Sequence, residues 1–200
     1  LLFFSQTMVS QEVDLSARHM LVLSADLDSL WGSYYFAVIN NTKEEKEMQI
    51  KLMLPKETVD FKAGEGLAAS DLHLDGHELY IGKKFNPGMN LVGIGFKTKI
   101  ETFGADILTI VPFFKVEELD IAAAQNSSLQ FEAVGFSESV PSMLSSKHYV
   151  GIKNDKPLEA GNIIQIKVKG IPKQRIYLQF MAVAFAGLLF LTSAALVLRR

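Results

Sequence analysis

Between Ile176 and Leu198 the chain reads IYLQFMAVAFAGLLFLTSAALVL, 23 residues with no charge and no proline. As an α-helix this run is about 35 Å long, enough to cross a hydrocarbon core of roughly 30 Å with a modest tilt. Leu, Ile, Phe and Val near the centre of such a helix each favour insertion by about 0.3–0.6 kcal/mol. Tyr177 and Gln179 lie within a turn of one end, at headgroup depth. Lys173 and Arg175 flank the run on one side, Arg199 and Arg200 on the other. A buried core helix is the alternative, but such helices seldom stay uncharged for so long. The run predicts a single C-terminal transmembrane α-helix within an anchor at 173–200.

The residues before it suffice for one or two small domains with cores of their own. The net charge of −2 sets up no global basic field, so nucleic acid is not an expected partner. With no cysteine, disulfides, thiolate zinc sites, iron–sulfur clusters and a cysteine nucleophile are all excluded. Fourteen phenylalanines suit a packed β-rich core better than a disordered tether.

Leu1-Leu2-Phe3-Phe4 turns polar at once with Ser5-Gln6-Thr7, so 1–8 reads as the end of a signal peptide or another N-terminal apolar segment. From there the pattern is β. His19–Ala25 and Tyr34–Ile39 are rich in β-branched and aromatic residues. Asn40 to Lys43 reads as a turn. Met48, Ile50, Leu52 and Leu54 alternate onto one face until Pro55 ends the strand. Asp75-Gly76 between alternating runs predicts a hairpin, with His77 opposite Leu74 and His73 opposite Glu78. After Asn86-Pro87-Gly88, residues Val92, Ile94, Phe96 and Thr98 share a face. Further strands are predicted at Ile107–Val111, Val116–Ala122, Leu129–Val134, His148–Ile152 and around Ile164, Ile166 and Val168. Phe136 to Lys147 reads as a serine-rich loop.

The fold class is therefore mainly β: one or two antiparallel immunoglobulin-like β-sandwich units. The first unit spans 9–100 and the second 101–172, or 101–172 is the second half of one domain. Each closes on a glycine-containing turn (Asn86-Pro87-Gly88, then Glu159-Ala160-Gly161) followed by a long amphipathic strand.

Motifs with chemistry are few. Gly64-Glu65-Gly66-Leu67-Ala68-Ala69 fits a dinucleotide fingerprint but sits among strands with no helix after it, so it reads as a glycine loop. No P-loop and no G-x-S-x-G occurs. His73 and His77 would suit a metal pair, yet the predicted hairpin sends them to opposite faces, with His77 half-buried on the core side. The methionines are scattered and read as gap fillers. Trp31, Tyr34 and Tyr35 form the one dense aromatic cluster, a candidate surface for a ligand or partner. Adjacent residues cannot all point inward, so at least one tyrosine should lie near the surface. Ala182 and Ala186, with Ser193 near the same face, make a small-residue stripe suited to helix–helix contact.

The basic residues before the span would by themselves keep the globular part cytoplasmic, as a tail-anchored protein. An export signal at the N-terminus reverses that, because large domains translocate largely regardless of charge. The leading expectation is a non-catalytic, membrane-anchored extracytoplasmic protein, periplasmic in a bacterium. It would serve as an accessory or scaffolding subunit whose partners are integral membrane proteins and the lipid bilayer, with no cofactor. Two other readings are a glycan- or peptide-binding module using the aromatic cluster, and a metal-assisted enzyme using His73 and His77.

Overall fold

The computed structural model describes residues 12–26, 29–56, 58–99, 106–139, 141–144, 147–171 and Phe185. The expected span, its stripe of Ala182, Ala186 and Ser193, and the segment 1–8 lie outside the described residues. Among the described residues no helix is long and apolar enough to cross a membrane.

Strands carry the described residues almost throughout. The first half supplies β1 (Val13–Leu15), β2 (Arg18–Ala25), β3 (Ser29–Asn40), β4 (Lys46–Met53) and β5 (Thr58–Ala63). After a short 3-10 turn at Ala69–Asp71 come β6 (Leu72–Asp75), β7 (Glu78–Phe85) and β8 (Gly88–Lys99). The second half adds β9 (Asp106–Pro112), β10 (Glu118–Ala124), β11 (Gln130–Glu132) and β12 (Phe136–Glu138). The last three are β13 (Ser142–Leu144), β14 (Lys147–Asn154) and β15 (Ile164–Lys169). They form two sheets. The larger runs β12-β14-β10-β2-β3-β8-β5, with β1 beside β3 and β13 beside β14. The smaller runs β11-β15-β9-β4-β7-β6.

The fold is a mainly β, two-sheet sandwich, and its alternating strands explain it. Side chains two apart share a face. Leu21, Phe36, Val38, Ile94 and Ile121 point inward from the larger sheet; Ile50, Leu79, Ile81, Leu108 and Ile166 do so from the smaller. All are at most 2% exposed and belong to one apolar cluster. Each such burial contributes about 1.5–3 kcal/mol before the entropy of ordering is subtracted.

Four features differ from the expectation. First, β3 begins at Ser29, not Tyr34, and runs through Gly32 and Ser33. Gly32 suits the strand because the Phe96 ring of β8 lies over it: a Cβ at Gly32 would stand 2.1 Å from Phe96 Cζ. Second, the β6–β7 hairpin turns one residue later, on Gly76 and His77. Leu74 then pairs with Leu79 and Leu72 with Ile81, apolar against apolar, and Gly76 takes the φ of +62°. Third, β2 and β10 pair in parallel, which strands so far apart in sequence can do and a hairpin cannot. Fourth, the segment from Phe136 contains β12 and β13, both paired to β14. Gly88 and Gly161, in the two turns singled out above, both have φ in the left-handed region, at +92° and +82°.

Gly151 gives a test of how tightly these strands sit. A Cβ there would lie 1.9 Å from the Ile121 carbonyl oxygen of β10, whereas one at Gly82 meets nothing within 4 Å. In urea titrations Gly151→Ala is expected to lose about 2–3 kcal/mol of stability, while Gly82→Ala stays within about 0.5 kcal/mol of the parent.

Candidate functional site

The period of two along β3 divides the aromatic cluster. Trp31 and Tyr35 face outward, opposite Lys97 and Gly93 of β8, and Tyr34 faces inward opposite Ile94. Tyr34 is 4% exposed and so belongs to the core. Tyr35 lies along Gly93, where a Cβ would come within 3.0 Å of its ring. The Trp31 indole N–H donates to Asp26 Oδ2 at 3.1 Å. Its ring is engaged by two ammonium groups, Lys97 Nζ at 4.7 Å and Lys62 Nζ at 5.9 Å from the centroid. Lys62 reaches it across Gly95, which leaves room for the lysine stem. The outer site is thus an indole held by a carboxylate and flanked by cations; a sugar stacking on it would compete with Lys97.

On the inner face of the larger sheet lies a buried polar group, His19. His19 alternates with Leu21 and Leu23, and that period of two was the available signal for its inward direction. It is 1% exposed. Its ring stacks on Phe36, with centroids 5.4 Å apart, and tilts against Phe114. Nε2 lies 2.9 Å from the Ser16 carbonyl oxygen and Nδ1 2.9 Å from the Tyr34 hydroxyl. A carbonyl can only accept, so Nε2 carries the proton and Nδ1 accepts from the Tyr34 O–H. Both ring nitrogens of the neutral imidazole are satisfied; the imidazolium would need the Tyr34 hydroxyl to turn its proton away and accept instead. Burial pushes the imidazole pKa down to about 4, against a smaller upward pull from the Ser16 carbonyl. Burial pushes the Tyr34 phenol up.

The two hairpin histidines are both exposed. His73 lies beside Tyr80, with ring centroids 6.4 Å apart. His77 occupies the turn, not the core side as expected, because the hairpin register is shifted. Among the described residues no three His, Asp or Glu side chains are grouped to hold a metal. The outer face near this hairpin is instead a charge-and-ring network. Lys51 Nζ meets Glu78 at 2.7 Å, the Tyr80 hydroxyl donates to Glu78 at 2.7 Å, and Lys51 sits 4.4 Å from the Phe113 centroid. The Lys51 and Tyr80 hydrogen bonds hold the Glu78 carboxyl below its usual range.

The glycine loop continues the sheet edge: Gly64 N–H donates to the Gly93 carbonyl, and Gly93 N–H to that of Glu65. Between the sheets, Tyr34, Leu52, Pro55, Ile94, Phe96 and Ile110 line an apolar cavity of about 20 Å³. That is room for about one water, not a substrate.

No protein-family model matches the chain, and no curated protein matches it. Among solved structures it is similar to a two-domain M1 zinc metallopeptidase mutant bound to L-tryptophan, with TM-score 0.44 and 11% identity over 78% of this chain and 43% of that one. The M1 zinc metallopeptidase of Deinococcus radiodurans gives TM-score 0.42 and 10% identity, over 78% of this chain and 42% of that one. A protein provisionally described as nutrient binding, from Legionella pneumophila, gives 0.43 and 10%, over 78% of this chain and 67% of that one. The chain spans less than half the length of the metallopeptidase chains. Likeness at this level assigns neither family nor activity.

The buried imidazole has a measurable consequence. Above pH 6.5 both folded and unfolded chains hold it neutral, and its contribution to stability is fully present. As pH falls from 6.5 towards 4, the unfolded chain takes up a proton that the folded chain refuses, so stability is lost through that window. The total is on the order of 3 kcal/mol. The stability advantage of the parent over His19→Gln should therefore shrink by about 1.2 kcal/mol between pH 6 and pH 5. Tyr34→Phe, which strands Nδ1 without a donor, should cost about 1–3 kcal/mol at pH 7. Chemical denaturation at each pH checks both.

Proposed function

We propose that the chain is a non-catalytic subunit of a membrane complex. In this reading 176–198 spans the bilayer and the sandwich stands on the extracytoplasmic side, periplasmic in a bacterium. There it serves, as immunoglobulin-like modules do, as a rigid carrier of contact surfaces. The observation that carries the reading is an exposed apolar patch on the larger sheet's outer face, set apart from the ion pairs of Arg18 with Glu118 and Asp120. The smaller sheet's outer face carries ion pairs, Lys51 with Glu78 and Glu132 with Lys167 and Lys169, beside exposed Ile107. Around Tyr35 the larger sheet's outer face is flattened by the small residues Val22, Ser33 and Gly93, leading to Leu91 at 45% and Met89 at 78% exposure. Large exposed apolar side chains grouped on one face suit contact with another protein. A second reading, a glycan- or peptide-binding module, rests on Trp31 at the surface; loss of ligand in Trp31→Ala with the fold intact would favour it.

Extraction in mild detergent followed by mass spectrometry tests the leading reading. The expected outcome is a constant set of integral membrane proteins at fixed ratio. That set should be lost from a Met89→Glu, Leu91→Arg double variant whose circular dichroism and melting midpoint are unchanged. A chain that comes out alone overturns the reading.

A further inference from the structure

The end of β15 is tied into the sandwich. After β15, Gly170 adopts φ +77°, and its carbonyl accepts a hydrogen bond of 2.6 Å from the Ser128 hydroxyl. Ile171 is 7% exposed and joins the same core cluster as Leu129. Only four residues separate Ile171 from Ile176, a reach of at most about 17 Å. If 176–198 spans a bilayer, the end of the sandwich holding the 125–128 turn lies within that distance of its surface.

Strand register identifies what else stands at this end. Gln125 N–H donates to the His148 carbonyl, next to Lys147. The β2–β10 register carries Ala25 to the level of this turn; Ala25 pairs with Leu30, and Ser29 with Lys99. Thr58 pairs with Thr98, which brings the start of β5 and the nearby Lys56 to the same end. Here a bulge between Thr58 and Asp60 leaves Val59 61% exposed. Two residues further in, about 7 Å, stand Trp31 and Lys97. Lys56, Lys99 and Lys147 are exposed, and among the described residues none of them pairs with a carboxylate within 4.0 Å. The acidic side chains described here are already engaged or faced: Asp26 accepts from Trp31, and Asp60 lies opposite Lys97.

We infer that this end of the sandwich is a headgroup-contact surface for an anionic bilayer, with Lys56, Lys99 and Lys147 towards lipid phosphates and Trp31 and Val59 at the interface. The inference rests on the anchored reading above. Lysines within a Debye length of an anionic surface are drawn to it, and indole rings favour the headgroup level.

Trp31 is the only tryptophan of the chain, so its fluorescence reports this end alone. The full chain would be reconstituted in vesicles of phosphatidylcholine, and of phosphatidylcholine with phosphatidylglycerol, each carrying headgroup spin-labelled lipid. Expected are deeper Trp31 quenching in the anionic vesicles and loss of that difference at high salt. A Lys56→Glu, Lys99→Glu, Lys147→Glu chain should quench as in phosphatidylcholine alone. A chain that floats with the vesicles yet quenches equally in both compositions overturns the headgroup contact and leaves the anchor standing; this comparison needs no variant. A chain that floats with neither overturns the anchor and the inference together.

Discussion

The sandwich depends on one ladder, the five residue pairs that set Arg18–Val22 alongside Glu118–Ala122. It is the seam between the two halves of the chain. On its inner side Leu21 lies beside Ile121 and His19 beside Leu119; on its outer side Arg18 meets both Glu118 and Asp120. Among the described residues the smaller sheet crosses the same divide with two pairs, Leu52 with Pro112 and Met53 with Val111. Without the seam, β2 and β10 would both present open edges, which a sandwich otherwise has to cover. Arg18 and Asp120 are 102 positions apart, so this contact is also among the costliest to close in folding.

Polar groups near the seam tie backbone where the ladders end. Asn154 accepts from Leu119 N–H and donates to the carbonyls of Glu117 and Lys156. Asn40, at the end of β3, likewise donates to the Glu44 and Phe85 carbonyls. With His19 bonded at both nitrogens, these buried side chains rigidify the fold.

What was legible in the residues follows from locality. Met48–Leu54, Val92–Thr98 and Ile164–Val168 could be read because one buried face imposes a period of two, whichever strand comes next. The smaller errors arose where a partner decides. Gly32 looks like a break until Phe96 is laid over it. The turn at Asp75-Gly76 looks settled until Leu74 finds Leu79. Trp31, Tyr34 and Tyr35 could be divided between two faces, but which took the core depended on the register with β8. His19 has the spacing of a core position, but its partners, Ser16, Tyr34, Phe36 and Phe114, meet only in the folded sheet. The parallel seam had no local signature at all.

The tie at Gly170 and Ile171 also fixes how the molecule bears load. β15 is flanked on both sides, by β9 through five residue pairs and by β11 through three. Tension applied at Ile171 along the strand axis meets these ladders in shear, so the rungs must give together and not one after another. A strand seated in this way behaves as a rivet, and movement at one end of the chain would be passed to the sandwich as rotation of the whole body before any strand peels away.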